Sequence, residues 1–263
     1  MTPPGRTRWV PAVVGLAVGL LVGSLVFAPA RLWALVVPAI TGGRIQLLNP
    51  HGTVWQGTAD VRIHGDGGTL DLPGGMGWRL GASLRPDLGL HLDLMLRCCA
   101  STAWRWRWER ADGQWRLAAD AHRSTWDLAW LAALGSPWNT LGLRGTLRFE
   151  TSTLQWRLGS STPSPRASGV WSAQIDDLSA AVSTVRPLGS YRLSSDWQHA
   201  GQPGLVLQTL RGDLRLEGQG EWHDGRVRFR GVAEAAPERL DALSNLLNLL
   251  GRRDGARAHL RFG

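Results

Sequence analysis

Apolar positions along this chain change their spacing soon after the start. From Val10 to Ala28 the run VPAVVGLAVGLLVGSLVFA carries no charge and follows Arg6 and Arg8. At about 1.5 Å per residue it would make a helix of roughly 28 Å, close to the roughly 30 Å hydrocarbon core of a bilayer. It predicts one transmembrane helix over 10–28, anchored by Val10, Leu16, Leu20, Leu21, Val26 and Phe27. Arginines beside a first apolar helix tend to stay in the cytoplasm, and beyond the run only Arg31 precedes Arg44. Residues 1–9 then read as a cytoplasmic N-terminus, 29–45 as an exit segment and 46–263 as a periplasmic body. The alternative is a cleaved signal peptide, since Ala28-Pro29-Ala30 has small residues at the outer cleavage positions. The run exceeds the about 7 to 15 residues of a signal h-region, and LWALVVPAI at 32–40 continues past the cut, so the expectation is an uncleaved anchor.

From Gln46 onward the period is two, broken by glycine. In VWQGTADVRI, Trp55, Gly57, Ala59, Val61 and Ile63 share one face while Gln56, Thr58, Asp60 and Arg62 share the other. Asp66-Gly67-Gly68 supplies a turn before short strands at 69–72 and 77–80. In LHLDLML, Leu90, Leu92, Leu94 and Leu96 oppose His91, Asp93 and Met95. In WRWRWER, Trp104, Trp106 and Trp108 alternate with Arg105 and Arg107, and Asp112-Gly113 turns the chain into QWRLAAD at 114–120. This is the pattern of an antiparallel meander with one wet face. A Trp-Arg ladder can stack on bases, sugars or cations. The simpler reading sends Trp inward and Arg outward on a sheet. Further strands read at 143–150, 154–158, 170–178, 190–197 and 205–210 and in the runs that follow, about ten to twelve in all.

Two helices are predicted in the body. One starts at Ser124, with Asp127 three residues on and Leu128, Leu131 and Leu134 on a face, and stops at Gly135 before Pro137. The other covers 237–250, with Pro237 in the first turn and a stripe of Leu240, Leu243, Leu247 and Leu250, and stops at Gly251. LRGTLRFE at 143–150 and LRGDLRLE at 210–217 match at six of eight positions. With the polar stretch STPSPRASG at 161–169 as a boundary, the body divides into two related units, about 46–160 and 170–263.

Composition narrows the function classes. The net charge of +8 comes from 29 basic residues, all arginine, spread among 21 acids without a dense tract. That describes a solvated surface rather than a nucleic-acid footprint, and no nucleic-acid partner is expected. Fifteen tryptophans against one tyrosine and four phenylalanines make Trp the main large core residue. Cys98 and Cys99 are adjacent; a strained ring, a link to another chain and unreacted thiols are all open, and thiols are the expectation.

Catalytic chemistry finds no foothold. A Walker A loop needs a lysine and the chain has none, and there is no G-x-S-x-G elbow. The seven histidines are scattered, with no zinc-binding spacing. Asp176-Asp177 and the pair Glu217 and Glu221 offer no more than any β-rich protein. The expectation is a binding or scaffolding protein without cofactor or metal, not an enzyme.

The anchor, then GTVWQGTADV at 52–61, LRGTLRFE and LQWRL in the middle, and LQTLRGDLRLEGQGEW, VRFRGVAEAAPE and LNLLGRRDGARAHLRFG from 207 to the end resemble the type II secretion system protein N family. That resemblance implies a mainly β protein: one N-terminal transmembrane helix, then a curved, mostly antiparallel sheet like the half-barrels of AsmA-like proteins, with two short helices. It implies an accessory inner-membrane part of the machine that exports folded proteins across the outer membrane, with the secretin or the inner-membrane platform as partners. It brings no catalytic residues. The alternative it leaves is a lipid-handling groove of the cell envelope, lined by Leu90, Leu92, Leu94, Trp104, Trp106 and Trp108. A groove needs these positions to form an apolar trough not filled by the helices; an assembly factor needs exposed edges or faces for a partner.

Overall fold

The computed structural model describes residues 9–262 except 84–88, 112–113, 136–137, 159–165, 198–203 and 224–225. Arg6, Arg8, the Asp112-Gly113 turn, Pro137 and most of the 161–169 stretch lie outside the described residues. Two helices open the chain, α1 (Trp9–Val26) and α2 (Arg31–Ile40). Seven strands follow: β1 (Ile45–Gly52), β2 (Gln56–Gly65), β3 (Gly68–Asp71), β4 (Met76–Ser83), β5 (Gly89–Leu96), β6 (Trp104–Ala111) and β7 (Gln114–Ala119). Next, β8 (His122–Asp127) leads into a 3-10 helix (Leu128–Leu134) and the single turn α3 (Trp138–Leu141). Then come β9 (Arg144–Thr151), β10 (Leu154–Leu158), β11 (Arg166–Ser168), β12 (Val170–Ser179), β13 (Gly189–Asp196), β14 (Gly204–Gly212), β15 (Leu214–His223) and β16 (Arg226–Ala235). A 3-10 turn (Pro237–Arg239), α4 (Leu240–Leu250), β17 (Arg252–Asp254) and β18 (Arg257–Phe262) complete the chain.

The strands form two nine-stranded sheets. The first has the order β1-β2-β4-β5-β6-β7-β10-β11, with β3 also on β2; the second has the order β17-β18-β16-β15-β14-β13-β12-β9-β8. All the pairings are antiparallel, in keeping with the mainly β expectation. There are more strands than the ten to twelve expected, because pieces such as β11 and β17 are too short to show a period.

Three segments pass from one sheet into the other at a common bend. β7 runs through Asp120-Ala121 into β8, β10 joins β9 through Ser152-Thr153, and β11 joins β12 through Gly169. Ala119 faces Leu154 in the first sheet and His122 faces Thr151 in the second, so this ladder keeps one register through the bend. Its neighbour slips by a residue, since Gln155 faces Ser168 but Thr151 faces Trp171. Gly169 absorbs the slip at φ +126°, where a Cβ would sit 2.7 Å from Leu154 Cδ2 and 2.8 Å from Thr153 O. Paired β8 and β9 therefore belong to the second sheet while β10 and β11, later in the chain, belong to the first, and the sheets do not divide at 161–169.

Helices cover the outer ends of this arrangement. On the second sheet Leu243, Leu246 and Leu247 of α4 press onto Leu214, Ala233, Ala235, Ala258 and Leu260. The alanines leave room for the helix to approach, and burying three leucines contributes about 2 kcal/mol each. The leucine stripe expected for 237–250 is thus present, with Leu246 added and Leu240 and Leu250 at its margins. On the first sheet Leu47, Ala59, Val61, Leu72 and Trp78 pack with Trp33, Ala34 and Val37 of α2 and with Trp126 and Trp130.

Several expectations are corrected. Ser124 does not begin a helix: it lies buried in β8, and its Oγ accepts the Trp126 indole N–H at 2.8 Å. The helix starts after Asp127, whose carboxylate accepts the Ala129 N–H at 2.9 Å, and it is 3-10. The stretch read as the exit segment, 29–45, holds α2 over most of its length. The apolar helix at the N-terminus stops at Val26 instead of running to Ala28, and Ala28 is buried against the body. At 18 residues α1 is about 27 Å long. Leu16, Leu20, Leu21, Val26 and Phe27 are exposed there, and the Val10 side chain is outside the described residues. Among the described residues no helix is long and apolar enough to cross a membrane. Finally, Cys98 and Cys99 are joined to each other by a disulfide and are not thiols.

If Gly169 is what allows the bend, Gly169→Ala should lower the unfolding free energy by roughly 2–3 kcal/mol. Gly204→Ala, where nothing lies within 4 Å of the added carbon, should change it by no more than about 0.5 kcal/mol. Urea unfolding of both variants followed by tryptophan fluorescence checks the contrast.

Candidate interaction surface

Alternation places the Trp and Leu positions of β5 and β6 on one face. Cross-strand pairs run Leu80–Leu92–Trp106–Ala119–Leu154 and Ala82–Leu90–Trp108–Leu117–Trp156. A third row runs Trp78–Leu94–Trp104. All six residues expected to line an apolar face therefore share it. Their burial differs along the rows. Leu92 and Leu94 pack against the core under α2, and Trp104 and Trp106 are half-buried. Leu90 and Trp108 remain 52% and 48% exposed, and Trp115 of β7 on the same face is 44% exposed.

The second sheet contributes to the same surface through the bend. Trp104 stacks on His122 of β8 with ring centroids 4.8 Å apart and meets the edge of Phe149 of β9 at 6.2 Å. Phe149 contacts Trp171 of β12, and Trp106 stacks on Trp156, which meets Trp197 just beyond β13. Aromatic rings thus line both sides of the bend in one connected set, each pair worth about 0.5–1.5 kcal/mol beyond its area. No helix lies over this middle region among the described residues; the 3-10 helix packs on β2, β3 and β9 and α4 on β16 and β18. A recess of about 560 Å³ opens beside the bend, lined in part by His122, Thr151 and Trp171.

The bend is held by polar groups around Asp120. The Trp104 indole donates to the Asp120 carbonyl at 3.0 Å, the Asp120 N–H donates to Arg105 O at 2.9 Å, and its carboxylate meets Arg107 at 2.7 Å. The Thr125 N–H, on the outer edge of β8, donates to Cys99 O at 2.7 Å. The disulfide-closed turn between β5 and β6 therefore covers a strand edge that would otherwise be open. By contrast, the Trp106 and Trp197 indole N–H groups are buried without an acceptor among the described residues.

Arginines occupy the opposite face, as the Trp-inward reading expects. Arg105 is directly opposite Asp93 and donates to both carboxylate oxygens, at 2.6 and 2.9 Å. The hydrogen bond from Arg105 holds the Asp93 carboxyl below its ordinary range. Arg62 clasps Asp71 in the same bidentate way. Such half-exposed pairs keep the face wet and in register and add little stability each. Among the described residues no three His, Cys, Asp or Glu side chains are grouped to hold a metal.

Sequence reasoning found the Trp and Leu rows but missed His122, Phe149, Trp156, Trp171 and Trp197. The alternation of Trp156 and Trp171 with polar neighbours was visible. Their contact across a bend was not.

Trp104→Ala should cost about 3–5 kcal/mol, since it removes a stacked ring and the donor to Asp120. Trp108→Ala, at a half-exposed site, should cost far less; denaturant midpoints compare them. Burial also holds the His122 imidazole below its ordinary pKa of 6.5, so the unfolded chain takes up this proton first as pH falls. Stability from this group is complete above about 6.5 and declines as pH drops toward the lower folded value. His122→Phe, which keeps a ring against Trp104, should flatten the fall in urea midpoint between about pH 7.5 and about pH 5.5.

No curated protein matches this chain, and no solved structure matches it. A family model, described as type II secretion system (T2SS), protein N, matches residues 43–260, from just before β1 into β18. The match takes in both sheets, the bend, the 3-10 helix and α4 but neither α1 nor α2, and on it the chain belongs to the type II secretion system protein N family.

Proposed function

We propose that this protein is an accessory inner-membrane component of the type II secretion system that helps assemble or stabilise the export apparatus by binding another of its components. The carrying observation is the family match over residues 43–260, which brings the secretion role. The geometry supports a binding rather than a chemical task. The connected aromatic surface ends in exposed Leu90, Trp108 and Trp115, large apolar groups that a partner would cover. On this reading the protein is not an enzyme and needs no cofactor.

The same reading makes the uncharged stretch 10–28, of which α1 is the described helical part, a single-pass anchor with residues 1–9 in the cytoplasm and the sheets in the periplasm. Supporting it are the absence of charge from Trp9 to Val26 and the exposure of apolar side chains there, which water disfavours and lipid does not. A second reading, an AsmA-like half-barrel that handles lipid, is favoured by one observation: the rings from Trp106 through Trp156 to Trp197 form an apolar path that no helix among the described residues roofs.

In the native host, loss of the protein should leave folded export substrates in the periplasm while outer-membrane lipid asymmetry stays intact. Complementation with a Leu90→Asp, Trp108→Asp double variant should restore neither export nor co-purification with secretion components, although its thermal unfolding stays close to wild type. Normal export in the deletion strain, or loss of lipid asymmetry with export intact, would reject the assembly role.

A further inference from the structure

The helix α2 presents two faces with different fates. Trp33, Ala34 and Val37 pack into the core of the first sheet. Leu32, Leu35, Val36 and Ile40, with Ala39 between, occupy an arc of about 140° on the other side at 100° per residue. This outer arc is apolar and open: Leu35 is 71% and Ile40 75% exposed, and no charge occurs from Leu32 to Ile40. A packed surface helix normally turns polar residues outward, so an outward arc of leucine, valine and isoleucine calls for a non-aqueous neighbour.

The position of α2 says which neighbour. Four hydrogen bonds pin the end of α1 to the body: Ala30 N–H to Gly52 O at 3.0 Å, Val54 N–H to Ala28 O at 2.8 Å, the Trp55 indole to Leu25 O at 2.9 Å and the Trp33 indole to Val54 O at 3.0 Å. No free linker intervenes, so wherever α1 leaves the lipid, α2 starts. Exposed Phe27 continues the apolar surface of α1 toward α2. Arg31 and Arg44 flank the apolar stretch and are exposed, where long cationic side chains can reach lipid phosphates. The Trp55 indole donates to Leu25 O, and those of Trp33 and Trp78 to main-chain carbonyls at 53 and 54, so the core of the first sheet is tied to the end of α1.

We infer that α2 is an interfacial footplate: it lies in the lipid–water boundary with Leu32, Leu35, Val36 and Ile40 among the acyl chains and holds the first sheet directly on the bilayer surface. The inference rests on the membrane anchoring of α1 proposed above, and its test separates the two.

The full-length chain is reconstituted in vesicles of phosphatidylethanolamine and phosphatidylglycerol, with an environment-sensitive fluorophore on one introduced cysteine; Cys98 and Cys99 are joined to each other and do not compete. Labels at Leu35→Cys and Ile40→Cys report on α2, Val18→Cys on α1 and Arg230→Cys on the polar face of the second sheet. Nitroxide lipids quench either near the headgroup or near the chain end. The footplate is supported if labels at 35 and 40 lose most of their fluorescence to the headgroup-proximal quencher while the label at 230 loses none. Water-like emission at 35 and 40 overturns it, and so does protected emission that neither lipid quenches, which would mean a protein cover. Deep quenching at 35 equal to that at 18 also overturns it. The label at 18 judges the anchor separately: deep quenching there with a water-exposed 35 leaves the anchor standing without the footplate.

Discussion

One bend constrains the rest of this structure. Three strand segments cross it together, and hydrogen-bonded neighbours must turn at the same level or lose their ladder. β7 with β8 and β10 with β9 manage this without a change of register, while β11 with β12 slips one residue at Gly169. Because the inward face changes phase there, Ala119 and His122 both point inward although a step of three positions would put them on opposite faces of a regular strand. The inner faces of the two sheets are thereby joined, and the bulky rings of Trp104, His122, Phe149 and Trp156 collect where strands are closest to both. Asp120 takes its place in the same logic: a bent strand has main-chain groups without ladder partners, and the Trp104 indole and Arg105 carbonyl satisfy two of them.

Burial is then distributed unevenly. α4 seals one end against alanines and leucines, α2 and the 3-10 helix seal the other, and among the described residues the middle is filled chiefly by aromatic rings, with Ala119 and Leu154 between them. Rings give a large apolar area per residue, so a wide sheet can be stabilised without a helix over its whole breadth. The cost is surface: at the outer part of β5, β6 and β7 the rows run out of cover, and Leu90, Trp108 and Trp115 face solvent. The arginine face makes no comparable demand, since its cross-strand carboxylate pairs are satisfied within the sheet.

Legibility in the sequence followed the same division. Alternation in β2, β5 and β6 gave both the strands and their two faces, and in the structure Leu90, Leu92, Leu94, Trp104, Trp106 and Trp108 share one face of the first sheet. Where the phase breaks, the reading failed. Ser124 to Asp127 looked like the start of a helix because Asp127 follows Ser124 by three residues and Leu128, Leu131 and Leu134 share a helical face, whereas the chain stays extended through β8 up to Asp127. α2 was hidden differently: its apolar residues merged with those of α1, and only its contact with β1 and β2 distinguishes a packed face from an open one. The disulfide between Cys98 and Cys99 depends on a turn whose geometry adjacent residue names do not carry. Exposure at Leu90 against burial at Leu94 was equally out of reach, since it depends on where distant helices settle.

The junction between α1 and the body gives the aromatic surface a location as well as a composition. The carbonyls and N–H groups that hold Ala28 and Ala30 belong to residues 52 and 54, between β1 and β2, so the first sheet grows sideways from that point. Strands in a sheet are spaced by about 4.8 Å, and β5, β6 and β7 are two, three and four strands from β2. The exposed patch on them is therefore about 10 to 20 Å along the sheet from the end of α1. A partner seated on Leu90, Trp108 and Trp115 would stand within one small domain's radius of the junction. A flexible connection would have allowed the patch to search a wide volume around α1. A pinned one holds it at a fixed distance from α1, which trades reach for the lower entropy loss of a preoriented surface.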